Sequence, residues 1–264
     1  QTVQQARDFL DETEALAALL ETMDPAGWDQ PTRFKGWTPN DILVHLHFWN
    51  RMVALSLTDP EAFATIAAGA AEALPKGTLR SLEQAHVSER GAALRTAWLG
   101  AARAMALRWA EVDPRQRLPW VGPEMSARSS MTARLMETWA HGQAIYDMLS
   151  QSRPENDRIR NVVVLGVNAF GWSHRVNGWE VPDPMPELHL TAPSGALWQF
   201  GGPDAANRIT GSATEFAQVV TQTRNIADTD LVVEGPIATR WMQTAQCFAG
   251  PRQPPPPPGT RRPG

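Results

Sequence analysis

Cysteine is almost missing from this sequence. Of 264 residues only Cys247 is one, which excludes a disulfide framework and any zinc site built from several thiolates. A reducing, cytoplasmic setting is the corresponding expectation. No uninterrupted apolar run approaches the roughly 18 residues that a membrane-spanning helix needs, so no membrane partner is expected. Residues 1–20 are acidic and amphipathic, without a basic segment ahead of an apolar one, and no secretory signal is expected. An excess of basic charge is also lacking: 24 Lys+Arg stand against 28 Asp+Glu, a net charge of −4. That balance argues against nucleic acid as a partner, because neutralising phosphates needs a basic surface. Gly201-Gly202 reads as a turn, since no glycine-rich motif leads into a helix carrying lysine. No serine nucleophile elbow and no internal repeat are visible.

What is present suits a core-forming chain, with 42% apolar and 20% charged residues. Eleven Trp against one Tyr is a heavy indole load, and 22 Pro is high for a compact domain. Five of those prolines form the run Pro254 to Pro258, so residues 251–264 are expected to be an extended, disordered tail.

The first 150 residues carry helical spacing. Over 2–22, Val3, Ala6, Phe9, Leu10, Thr13, Leu16, Leu19 and Leu20 fall on one stripe. In Trp37-Thr38-Pro39-Asn40-Asp41, Thr38 is placed as N-cap, Pro39 at the first helical position and Asp41 as the acid of a capping box. That helix is expected to reach about Ser56. A third is expected from Leu79 or Ala85 to Glu111, and a fourth over 129–149. Four helices with one loop-rich excursion predict a bundle over 1–152. The polar, proline-punctuated stretch 150–157 reads as a boundary. Beyond it, 158–250 is expected to be a small α+β domain. Its elements are a helix over 158–174, a hairpin of 187–192 with 196–200, strands at 207–211 and 231–234, and helices over 214–224 and 237–248.

Six histidines are present, and the informative pattern is Glu137-Thr138-Trp139-Ala140-His141. Four residues apart on a helix, Glu137 and His141 project from one face and can reach one ion. Such a couple is also an ordinary solvated pair. A third ligand would have to come from another helix. His45, in the apolar setting Ile42-Leu43-Val44-His45-Leu46, is the candidate. His47 competes with it, and being two residues away it points roughly the opposite way. Two His and one carboxylate are shared by catalytic zinc and non-haem iron(II) sites, and leave positions open for water or substrate. Trp37, Trp49, Trp120 and Trp139 could wall an apolar pocket or be core residues. Arg128 and Arg134 could hold a substrate carboxylate, and Arg134 could instead form a salt bridge with Glu137, three residues on.

The segments Gly36-Trp37-Thr38-Pro39-Asn40-Asp41, His45-Leu46 and Met136-Glu137-Thr138-Trp139-Ala140-His141-Gly142-Gln143 resemble the mycothiol-dependent maleylpyruvate isomerase branch of the DinB-like superfamily. The whole chain is similar to an actinobacterial-type group of metal-binding proteins within it. The similarity extends through Leu190-Thr191-Ala192-Pro193-Ser194-Gly195 and Ala245-Gln246-Cys247-Phe248-Ala249-Gly250-Pro251. The resemblance implies a DinB-like four-helix bundle followed by a small α+β, sterol-carrier-like domain. It implies an ion, zinc by default, held by His45, Glu137 and His141, and a low-molecular-weight thiol such as mycothiol as cofactor. Two positions depart from the pattern: Ala144 stands where the group commonly has Asp, and Asn50 lies near a second frequent Asp. If those acids orient ligands, support of that kind is lost here.

The expected function is therefore a divalent-metal-dependent enzyme, a thiol-assisted isomerase or thiol transferase acting on a small electrophile. Arg134, Trp49 and Trp139 would bind the substrate, and the chain would act as a monomer or homodimer. A metal-dependent biosynthetic catalyst that takes a larger apolar substrate without thiol is the first alternative. A non-catalytic ligand carrier with a structural metal is the second.

Overall fold

A computed structural model describes residues 3–203 and 206–261. Thr2 and residues 262–264, which belong to the first expected helix and the expected tail, lie outside the described residues. The chain divides into two compact units, Gln1–Gly142 and Gln143–Gly264. No helix among the described residues is long and apolar enough to cross a membrane.

In the first unit, helix α1 (Gln4–Glu21) buries Ala6, Phe9, Thr13, Leu16 and Leu20, the stripe that the 3.6-residue period predicts. Helix α2 (Pro39–Thr58) begins at the expected capping box. The Thr38 hydroxyl accepts from the Asp41 N–H at 3.1 Å, and the Asp41 carboxylate accepts from the Thr38 N–H at 2.9 Å. Two orphan donors at the helix start are thus satisfied reciprocally.

Residues 60–76, which the spacing assigns to no element, form helix α3 (Pro60–Lys76). The Asp59 carboxylate accepts from the Ala62 N–H at 3.1 Å, and Pro60 takes the first position. Alanine favours helix without marking a face, so the stretch carries little period. The single helix expected to end at Glu111 is two helices, α4 (Leu79–His86) and α5 (Gly91–Ala110). Gly91 has φ of +62°, and its N–H donates to the Asn40 side chain at 2.8 Å instead of continuing the α4 ladder. A short antiparallel pair, β1 (Arg117–Leu118) with β2 (Met125–Ser126), leads into helix α6 (Ala127–Met148). Phe9, Val53, Met105, Trp109, Met131 and Leu135 meet in one core, so α1, α2, α5 and α6 form the expected bundle.

The second unit starts within α6, ahead of the boundary expected at 150–157. Within that unit Arg224 grips the buried Asp147 with two bonds of 2.7 and 2.8 Å, and Gln143 donates to the same carboxylate at 3.0 Å. The expected helix over 158–174 breaks at Ala169 into α7 (Arg160–Asn168) and α8 (Phe170–Arg175). The hairpin forms as β3 (Glu187–Thr191) and β4 (Leu197–Phe200), with Leu190 opposite Trp198. Strand β5 (Arg208–Ser212) pairs parallel to β3, and β6 (Val232–Glu234) pairs antiparallel to β5, giving the order β4-β3-β5-β6. Leu188, Leu190 and Ile209 alternate onto the buried face. Also buried are Phe216 of α9 (Ala213–Val220) and Trp241 of α10 (Pro236–Thr244), whose rings lie 5.7 Å apart.

The tail expected to be disordered is held over its described length. Proline has no N–H to give, so the segment offers chiefly carbonyls, which amide side chains meet, while the Gln253 N–H donates to the Gln246 side chain at 2.9 Å. Gln246 donates to Pro251, Gln222 to Gln253 and Asn225 to Pro256, at 3.2, 2.9 and 3.0 Å. Asp228 accepts from the Gly259 N–H at 2.8 Å.

Asp147→Leu removes the counter-charge of the buried Arg224 and should cost about 3–5 kcal/mol in urea unfolding; a loss below about 1 kcal/mol would show that the pair is not the anchor of this unit. His47, buried in α2 with Nδ1 unpartnered, is pushed down to about 4 by burial and by the nearby Arg51 charge. The fold favours its neutral ring, so that stabilisation is complete above pH 6.5 and fades as pH falls from 6.5 towards 4. His47→Gln should flatten the stability profile in that window by on the order of 2–3 kcal/mol, read from urea midpoints at matched pH.

Candidate metal centre

Helix α6 places Glu137 and His141 one turn apart, and α2 brings His45 to meet them. The Nε2 atoms of His141 and His45 lie 3.0 and 3.5 Å from the same atom, Oε2 of Glu137. One ligand atom from each residue lies within 4.8 Å of the others. The three side chains remain 15–23% exposed, so the centre can be approached from solvent. Of the competing histidines it is His45 that joins the couple, while His47 is buried away from it.

Aromatic rings wall the centre. The turn at Lys35 and Gly36, with φ of +51° and +72°, is closed by the Thr32 hydroxyl and N–H, which both donate to the Trp37 carbonyl. Gly36 takes this left-handed backbone without a Cβ penalty. The turn stacks Trp37 on His141 at 5.7 Å and 7°, and sets Phe34 edge-on to the same imidazole at 5.2 Å. Arg80 lies over the other ring system of this rim, 4.6 Å from Trp37, and pairs with Asp41 at 3.2 Å.

Sequence reasoning missed Glu83. It lies on α4, only 2% exposed, and its Oε2 sits 2.8 Å from His45 Nδ1 and accepts from Trp49 Nε1 at 2.7 Å. No local pattern marks it: it is 38 residues from His45, and an acid on a helix normally reads as solvated surface.

The remaining expected residues divide. Trp49 belongs to the centre through Glu83 and also packs on Trp120 at 5.6 Å. Arg134 is buried: its Nε donates to Asn50 at 2.8 Å, and it forms neither the expected salt bridge with Glu137 nor an open carboxylate clamp. Trp139 is 1% exposed, two residues round the helix from Glu137. Arg128 is exposed and is not brought to the centre. Ala144 is buried in the position where an acid was expected by resemblance.

The electrostatics follow from burial and contact. Burial works to lower the His45 pKa, but hydrogen bonds and charge from Glu137 and Glu83 outweigh it and raise it to about 9. Burial alone would raise Glu137, yet hydrogen bonds from His141 and His45 hold it well below the usual carboxylate range. His141 is pushed down by burial and by the His45 charge, against the hydrogen bond to Glu137. Burial lowers Arg134 to about 10, and the charges of Glu137 and Glu83 keep it from falling further. Two imidazole nitrogens and an ionised carboxylate oxygen converging on one point are a donor set that a divalent cation fits.

A family model described as the mycothiol maleylpyruvate isomerase N-terminal domain matches residues 9–146. The uncharacterized protein Rv0036c of Mycobacterium tuberculosis H37Rv, and its counterpart in strain CDC 1551, are 36% identical over 244 residues. The match covers 92% of this chain and 95% of those proteins. Among solved structures, the mycothiol-dependent maleylpyruvate isomerase and a histidine-to-alanine mutant of it align with a TM-score of 0.53 at 14% identity. They cover 82% of this chain and 87% of theirs, a likeness of fold. With more than half of its length matched by the family model, the chain belongs to the mycothiol maleylpyruvate isomerase N-terminal domain family.

Proposed function

We propose that this protein is a divalent-metal-dependent enzyme that uses a low-molecular-weight thiol to isomerise, or transfer the thiol to, a small electrophilic substrate. The observation that carries this reading is the convergence of His45 and His141 on one oxygen of Glu137 in a half-buried, aromatic-walled and solvent-reachable spot. His45, Glu137 and His141 would hold the ion, for which zinc is the natural choice given nitrogen and oxygen donors. When bound, such an ion supplies a Lewis acid that lowers the pKa of a thiol or water and polarises a carbonyl.

The chain's own residues supply the rest. Trp37 and Phe34 exclude water from one side of His141, and strengthen electrostatic interactions there. Arg134, fixed by Asn50, sets a buried positive charge behind the two carboxylates of Glu137 and Glu83. Mycothiol is the thiol named for the solved isomerase of the same fold, and the family relation favours a thiol of that kind here. The buried Cys247 is compatible with a reducing, cytoplasmic home.

Elemental analysis of the purified protein should find about one divalent ion per chain, and His141→Ala should bring this close to zero while circular dichroism stays unchanged. Small electrophiles offered with and without mycothiol should turn over only with it. Thiol-independent turnover would point to a Lewis-acid catalyst instead, and a wild-type protein that binds no divalent ion would refute the proposal.

A further inference from the structure

We propose that Glu83 is the positioning residue of this centre, fixing His45 with Nε2 towards Glu137 and His141 and tying the seating of α4 to the occupancy of the site. The inference rests on the metal reading above and deepens it.

Three observations carry it. First, Glu83 is almost wholly buried, and a buried carboxylate is costly unless its hydrogen bonds are made. Both that the structure shows converge on Oε2. Second, the indole Nε1 of Trp49 can only donate, so Oε2 faces His45 as an acceptor. His45 Nδ1 must then carry its hydrogen, so it is Nε2, facing Glu137 Oε2 at 3.5 Å, whose lone pair becomes available once a cation takes the place of its proton. A ligating imidazole needs this arrangement, and a partner on the non-ligating nitrogen sets both tautomer and ring orientation. Third, the bond joins two helices: the acceptor stands on α4 and the imidazole on α2, 38 positions apart, so the contact exists only while α4 is seated.

Glu83 touches no substrate and none of the three converging ligand atoms except through the His45 ring. Its influence runs along one imidazole. Once Nε2 is held by a cation, rotation of the His45 ring would break the bond to Glu83, so occupancy and the docking of α4 reinforce each other.

The test uses the full chain and its Glu83→Gln variant, with Zn²⁺ and Co²⁺ affinities measured by chelator competition. The variant should bind each ion roughly 10- to 100-fold more weakly. In the zinc-loaded wild type the His45 Nδ1–H proton should be strongly downfield and slow to exchange, and it should move upfield in the variant. Metal should increase hydrogen-exchange protection over residues 79–86 in the wild type and not in the variant. A purely structural Glu83 would lower the unfolding midpoint and leave affinity and the Nδ1–H signal unchanged; that outcome overturns the assignment while the metal reading stands. A wild type that binds neither ion overturns both. Should Glu83→Gln fail to fold, Trp49→Phe removes the second anchor of the same oxygen and should weaken binding about fivefold; no change there would equally overturn the assignment.

Discussion

One oxygen atom organises the first unit. Oε2 of Glu137 receives two imidazole nitrogens from different helices, inside a wall of indole and phenyl rings. Lone pairs crowded in this way repel unless something positive lies among them. The raised pKa of His45 and the depressed one of Glu137 are the signs of that demand, met by a proton. A divalent cation meets the same demand with more charge. The structural elements around the site can be understood as ways of keeping three polar groups in a place where apolar packing would otherwise expel them.

Each of those elements answers a separate physical need. The capping box at Thr38 starts α2 at a fixed residue, which sets the rotation at which His45 faces inwards. The 3.6-residue period of α6 aligns Glu137 with His141 at no further cost. The left-handed turn at Lys35 and Gly36 brings Trp37 flat against His141. Arg134 places positive charge behind the carboxylates without occupying the opening, because Asn50 holds its guanidinium in the core.

Much of this is legible in the sequence because it rests on local chemistry. Thr38-Pro39-Asn40-Asp41, the stripe along α1, the Glu137–His141 spacing and the hairpin around Gly195 all act within a few residues of themselves, and each appears where expected. What escaped depends on distant partners. The alanine-rich α3 has helix propensity but no marked face. The break before α5 turns on an Asn40 side chain 51 residues away. Glu83 looks like any surface acid until α4 packs it under Trp49. Arg134 is held in the core by an Asn50 side chain 84 residues away, which no local spacing signals. The proline-rich tail is expected to be loose on composition, and the amide side chains that hold the carbonyls of Pro251, Gln253 and Pro256 lie dispersed along the unit.

The docked proline segment has a consequence of its own. A strand presents alternating donors and acceptors and can slip by a residue pair while remaining satisfied. A proline stretch presents acceptors alone, at intervals set by a stiff backbone that cannot contract to meet a displaced donor. Gln222, Asn225 and Gln246 therefore read spacing rather than side-chain identity, as notches read a ruler. Inserting or deleting one proline between Gln253 and Pro256 would put the Pro256 carbonyl out of step with Asn225, whereas exchanging one imino acid for another extended residue would leave the docking intact.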